Sequence, residues 1–272
     1  VLHSPDAQLQ KLIQQQWPTA QAAGHFFALP GLSGNSIRVQ RDRHMLLARR
    51  VPPQPIPFVD RQREYRVLRQ LRHAGLGPQP LGWQSPWLLQ GWLPGEMLTP
   101  AQFTAQHNEV LALLLRLHQQ PLTGYCLRLA PLLQRYWQLC RQRHWRWHRR
   151  LSRLLQRGEP QPLRLAPLHM DAHAGNIIAT SQGLRLIDWE YAADGDVALE
   201  IAAVCAIDTA HQACWISGYA AQAKIDEAVL ARQVQRWQPW LQLLMASWYQ
   251  LRAEQSQDDT LQQLAQASWQ DL

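Results

Sequence analysis

The 272-residue chain predicts an α+β fold in two lobes, a small β-rich one over residues 1–92 and a larger, mostly helical one over 93–272. Three observations carry this. Short β-prone runs separated by turn residues fill the chain up to about residue 92. Beyond it, apolar residues recur at i, i+3, i+4 and i+7, the spacing of one buried helical face. One further hairpin signal then interrupts the helical part near residues 176–187.

In chain order, residues 36–40 and 44–50 are β-prone around the polar turn Arg41-Asp42-Arg43, which predicts a hairpin. Pro52, Pro53, Pro55 and Pro57 break the chain, and a helix is expected over about 59–73, ending near Gly75. Strands are expected at 81–83 and 87–92, and Pro94-Gly95 marks the joint. Val110, Leu113, Leu114 and Leu117 place a buried helical face; residues 131–157 read as one helical stretch rich in Arg and Trp. Runs 176–179 and 184–187, joined by Ser181-Gln182-Gly183, predict the second hairpin. A helix should start near Val197, and Trp237, Trp240, Leu241, Leu244 and Trp248 mark another.

Composition narrows the class. A hydrophobic fraction of 46% with 17% charged residues is that of a globular chain and excludes wholesale disorder. The longest apolar run, residues 201–207, falls short of the ~18 residues that span a bilayer. The polar start shows no basic-then-apolar signal, so the expected place of action is the cytoplasm, without a membrane partner. Cys126, Cys140, Cys205 and Cys214 form no C-x-x-C pair and read as reduced thiols. The net charge of +7 raises nucleic acid or an anionic substrate as a partner. Only Lys11 and Lys224 are lysines; every other basic residue is arginine.

The run L-H-M-D-A-H-A-G-N-I-I from Leu168, followed by L-I-D-W-E from Leu186, carries the chemistry. Phosphoryl transfer from ATP needs a carboxylate to orient and deprotonate an alcohol, and oxygen ligands for Mg²⁺ on the phosphates. Asp171 suits the first task. Asn176 and Asp188, which the hairpin brings side by side, suit the second. Any one of these residues alone is an ordinary turn or capping residue; the joint pattern points to a kinase-type site.

His169, Asp171 and Asn176 in H-x-D-x-x-x-x-N, with Asp188-Trp189-Glu190 after two apolar residues, resemble the aminoglycoside phosphotransferase and choline kinase family, distant relatives of protein kinases. The longer strings R-L-A-P-L-H-M-D-A-H-A-G-N and L-I-D-W-E-Y-A-A-D-G-D-V-A-L-E-I-A-A-V resemble the bacterial thiamine kinases within it. So do G-L-S-G-N-S from Gly31, L-P-G-E from Leu93, L-H-Q-Q-P from Leu117 and Arg236-Trp237-Gln238-Pro239-Trp240, and the likeness therefore covers most of the chain. It implies a protein-kinase-like fold, ATP as co-substrate with Mg²⁺, and thiamine phosphorylated to thiamine monophosphate by a monomer. Choline-type or aminoglycoside-type kinases, and a catalytically silent kinase-like binding protein, are the alternatives.

By the same resemblance, Gly31 and Gly34 with Ser33 and Ser36 would cover the phosphates. Kinase-like folds next place a lysine on the third strand. Here neither lysine lies there, and Arg49 occupies the place, with Glu64 in the next helix as its partner. The stretch around Gln90 and Trp92, up to Leu93, would bond the adenine edge through its backbone. His169 is expected to be structural, and His173 is a weaker candidate donor to the transferring phosphate.

Asp188, Glu190, Asp194, Asp196 and Glu200 concentrate acid in a basic protein, which suits a cationic acceptor flanked by the aromatic faces of Trp189 and Tyr191. Glu190, Asp194, Trp189 and Tyr191 are therefore the expected acceptor-binding residues. Asp196 and Glu200 fit equally well as caps of the following helix. A rival reading comes from Arg143, Arg146, Arg150, Arg153 and Arg157, a basic helical face with Trp145 and Trp147 interleaved. That pattern is a footprint for RNA, but a solvated face opposite a Trp137, Cys140, Trp147, Leu151 and Leu154 stripe is the better account, and no nucleic acid is expected.

Overall fold

The computed structural model describes residues 6–16, 25–28, 36–41, 44–256 and 258–270. Its elements begin with α1 (Ala7–Gln16), β1 (His25–Ala28), β2 (Ser36–Arg41), β3 (His44–Arg50) and α2 (Arg61–Leu71). Then come β4 (Pro80–Gln84), β5 (Trp87–Gly91), β6 (Glu96–Met97), α3 (Pro100–Ala105) and α4 (His107–His118). The chain continues through α5 (Leu129–Leu139), α6 (Trp145–Arg157), β7 (Leu165–Leu168), β8 (Ile177–Thr180), β9 (Gly183–Leu186) and β10 (Ala193–Asp196). It closes with α7 (Val197–Ile207), α8 (Gln212–Ala223), α9 (Glu227–Ser256) and α10 (Asp259–Gln270). Two compact units result: Val1–Phe103 with His173–Ala192, and Thr104–Ala172 with Ala193–Leu272.

The first unit is built on a five-stranded antiparallel sheet in the order β1-β2-β3-β5-β4. Helix α1 lays Leu9, Leu12 and Ile13 onto Val39, Leu46, Ala48, Trp87 and Leu89 of that sheet. Helix α2 starts where Asp60 accepts the N–H groups of Gln62 and Arg63, and its last turn passes into a left-handed Gly75. A second small sheet, β6-β8-β9, holds the later hairpin in the same unit. Gly95, at φ +143, lets the chain pass against Ala179 of β8, where a Cβ would collide with the Ala179 carbonyl.

The second unit packs helices α4 to α10 with the short antiparallel pair β7 and β10. The expected single helix over 131–157 is instead two. Cys140 turns extended after α5, and the Glu254 carboxylate of α9 accepts the next N–H groups, Arg141 at 2.7 Å and Gln142 at 3.0 Å. No local residue signals that break, because its acceptor lies more than a hundred positions away. Helix α6 turns Trp147, Leu151 and Leu154 inward; of the expected basic face, Arg143, Arg146, Arg153 and Arg157 are exposed and Arg150 is half-buried. Among the described residues no single helix is long and apolar enough to cross a membrane.

Candidate active site

Within the first unit, strand β3 carries Arg49 to its end with only 3% exposure, directly opposite Ser36 of β2 in register. Gly31, Ser33 and Gly34 lie outside the described residues. Helix α2 presents Arg61 and Glu64 one turn apart on the same buried face. The Arg49 guanidinium donates to Glu64 Oε1 at 2.6 Å through Nη1. Its Nη2 donates to Asp188 Oδ1 at 2.5 Å and to Glu190 Oε2 at 3.0 Å. The sequence thus pairs Arg49 with Glu64, and the structure adds a second cation. Arg61 Nη1 donates to Glu64 Oε2 at 2.7 Å and to Glu190 Oε2 at 2.8 Å.

Burial pulls the Arg49 pKa down, but Glu64, Asp188 and Glu190 outweigh it and raise it, so Arg49 stays charged. Burial first, and Asp188 second, push Glu190 above the usual carboxylate range against the pull of both arginines. Gln90 is buried, and its side-chain amide donates to Glu64 Oε1 at 3.1 Å. The N–H groups of Gly91 and Trp92 are consumed by Gln79 O at 2.8 Å and Met45 O at 3.1 Å. Those two donors are therefore engaged within the fold.

The β8–β9 hairpin, with Ile177 opposite Leu186, sets the two expected metal ligands at its open end. Ile187 N–H donates to Asn176 O at 2.9 Å, tying the residue before Asp188 to Asn176 itself. His173 caps the short turn before Asn176 by accepting the Gly175 N–H at 3.1 Å. Burial lowers the His173 pKa against the upward pull of Asp188, so a neutral ring is favoured. Asp188 adopts a left-handed conformation at φ +63, and its side chain keeps 31% exposure. Trp189 then folds under Gly77, where a Cβ would sit 2.5 Å from the indole nitrogen, and donates to Leu186 O at 2.9 Å.

In the second unit, β7 pairs Leu168 with Ala193 of β10 and delivers His169, Met170 and Asp171. Met170 is strained at φ +66, which costs about 1–2 kcal/mol for a non-glycine residue. The fully buried carboxylate of Glu200, on α7, offsets that cost. It accepts the N–H of His169 at 2.9 Å and that of Met170 at 2.6 Å. Its other oxygen meets His118 Nε2 of α4 at 2.8 Å, and His118 Nδ1 meets the Tyr219 hydroxyl of α8 at 2.6 Å. The ring thereby links the Glu200 carboxylate to the Tyr219 hydroxyl. Burial alone would raise the Glu200 pKa, but the bonds from His118 and Met170 bring it below the usual range.

The acids expected to attract a cationic acceptor mostly have partners within the fold. Glu190 faces two guanidinium groups. Asp194 accepts Thr123 N and Oγ1 at 2.8 and 2.9 Å and Gly124 N at 2.7 Å. Asp196 caps α7 and accepts from Gln233 and Trp237, each at 2.8 Å, so Trp237 belongs to the core. Trp189 is likewise core; Tyr191 is half-buried. Two features escaped the sequence. Glu200 looked like a helix cap, since its partner backbone comes from a segment 30 residues earlier. Tyr249 of α9 is half-buried in an edge-to-face pair with Trp248, and burial together with the Asp171 charge raises its pKa.

The chain matches the family described as Phosphotransferase enzyme family over residues 28–240. It is 43% identical to a thiamine kinase of Escherichia coli O17:K52:H18 over 244 residues, 89% of this chain and 88% of the relative. Among solved structures, the choline kinase LicA from Streptococcus pneumoniae overlays with a TM-score of 0.77 at 16% identity, covering 97% and 96% of the two chains. A structure of LicA in complex with AMP overlays at 0.75 and 14% identity, covering 97% and 98%. These overlays establish a kinase-like α+β fold. With well over half of its length matched, the chain belongs to the phosphotransferase enzyme family and is an enzyme of it.

Proposed function

We propose that the chain transfers the γ-phosphoryl group of ATP to the primary hydroxyl of thiamine, giving thiamine monophosphate and ADP. The observation that carries this reading is 43% identity to a thiamine kinase sustained over 89% of the chain. Asp171 orients the hydroxyl and accepts its proton as the new oxygen–phosphorus bond forms and the bond to the ADP oxygen breaks. Arg49, turned by Glu64, steadies the phosphates, with Ser36 and the segment of Gly31, Ser33 and Gly34 covering them. Adenine binds at the backbone of Leu93, beside the buried Gln90, and Trp92 flanks it. His169 contributes through its backbone, as the anchor of the segment that carries Asp171.

Asn176 and Asp188 fit Mg²⁺, because an amide oxygen and a carboxylate are the hard donors that complement phosphate oxygens around that ion. Bound there, the ion would neutralise charge on the nucleotide. The acceptor is met by the set Tyr191, Trp189, Glu190 and Asp194, of which Tyr191 is half-buried and the other three are buried. The reading carries with it a cytoplasmic monomer acting on two dissolved small molecules, with no nucleic acid or membrane partner.

An acceptor panel tests the substrate. ADP release is followed with thiamine, choline, homoserine and an aminoglycoside at equal concentration. Turnover with thiamine at least a hundredfold above the others is expected; turnover of choline without thiamine would reject the assignment.

A further inference from the structure

Two carboxylates, not one, crowd Arg49 on the buried side of the box: Glu64 and Glu190. A single cation there would be held by both, in addition to Asp188. Arg61 changes that balance. Its Nη1 lies 2.7 Å from Glu64 Oε2 and 2.8 Å from Glu190 Oε2, bridging the two carboxylates without help from Arg49. The Arg61 side chain is completely buried, and its Nε reaches Arg50 O at 3.3 Å. Its Nη2 is buried and has no hydrogen-bond partner among the described residues.

Such a residue is an expensive way to fill space. An apolar side chain of similar volume serves a core as well as a buried ion pair, or better, because it avoids desolvating the charges. What an apolar residue cannot do is keep Glu190 neutralised when the Arg49 Nη2 group turns from it. We propose that Arg61 is a positioning residue that neutralises Glu190 and shares Glu64, so that Arg49 keeps its Nη1 bond to Glu64 while its Nη2 is free to turn to the nucleotide phosphates. This rests on the role assigned to Arg49 under the proposed function. It also accounts for arginine at position 49: one guanidinium spans Glu64, Asp188 and Glu190 with separate N–H groups, which a lysine ammonium cannot match in geometry. Arg63 donates to the Glu190 backbone carbonyl at 2.6 Å.

The test uses the full chain and the variants Arg49→Ala, Arg61→Gln, Arg61→Lys and Arg61→Gln/Glu190→Gln. KM for ATP, KM for thiamine and direct ADP binding by calorimetry are measured with the melting temperature of each. Arg61→Gln is expected to raise KM for ATP and weaken ADP binding about tenfold, with KM for thiamine unchanged. Removing the surplus carboxylate in the double variant should return both to within about threefold of wild type. Arg61→Lys, which keeps one charge, should fall between. Unchanged ADP binding in Arg61→Gln, with Arg49→Ala impaired, overturns the proposal and leaves the role of Arg49 standing. A double variant as weak as Arg61→Gln also overturns it, by showing that Arg61 acts through packing alone. Unchanged ADP binding in Arg49→Ala instead removes the underlying assignment of Arg49.

Discussion

Asp171→Asn should lower kcat by about 10²- to 10⁴-fold, with KM for ATP and the melting temperature close to wild type. The amide keeps the shape of the carboxylate and a hydrogen-bonding oxygen, so thiamine can still be held. It cannot accept the hydroxyl proton at neutral pH, and the alcohol remains a poor nucleophile. In the proposed function the nucleotide is held by other residues, Arg49 and Asp188 foremost, which is why the loss should fall on kcat. Steady-state kinetics with both substrates varied checks this. An Asp171→Asn enzyme with wild-type turnover contradicts the assignment of the base.

Glu200→Gln should also lower kcat, though less steeply, since Glu200 touches no reacting atom. Its carboxylate holds the N–H groups of His169 and Met170, and Met170 is the left-handed residue immediately before Asp171. A neutral amide weakens both bonds, and its NH₂ must face either those donors or His118 Nε2. Charged hydrogen bonds contribute about 1.5–3 kcal/mol each, enough to release the strained segment. A fall in kcat of at least tenfold is expected, together with a lower melting temperature. Glu200→Ala, which leaves His118 and two N–H groups unsatisfied, should cost about 3–5 kcal/mol of stability.

The same carboxylate predicts a pH dependence. Its pKa is lower in the folded chain than in the unfolded one. The stability it contributes is therefore fully present above the unfolded value, near 4.3, and is lost as pH falls through the folded value. In urea titrations across pH 3 to 6, wild type should lose stability faster than Glu200→Gln toward the acid end. Parallel profiles would mean that Glu200 is not the group responsible.

Much of this was legible in the sequence, and the legible parts share a cause. The β2–β3 and β8–β9 hairpins, α2 and the kink at Gly75 are set by residues within a few positions of one another, and so appear as local periodicity and turn chemistry. The D-x-x-x-x-N and D-W-E pattern is local in the same sense. What stayed hidden depends on partners distant in the chain. The break between α5 and α6 is held by Glu254. Glu200 reads as a cap of α7 until its bonds to His169 and Met170 are seen, and Arg61, whose partner Glu190 lies far along the chain, carries no local signal at all. The acid cluster shows the same dependence: adjacency in sequence suggests one cation-attracting patch, whereas Glu190, Asp194 and Asp196 each meet different donors from distant parts of the chain. The arginine-for-lysine substitution proved the more informative compositional feature, since it locates a box that holds two carboxylates with two guanidinium groups.

The most direct test of the central claim is to follow the labelled phosphate. With ATP labelled at the γ-phosphate and thiamine as acceptor, label should appear in thiamine monophosphate with one ADP formed per phosphate transferred, and only at background level with Asp171→Asn. Label found solely in inorganic phosphate, or thiamine left unmodified while ATP is consumed, would contradict it.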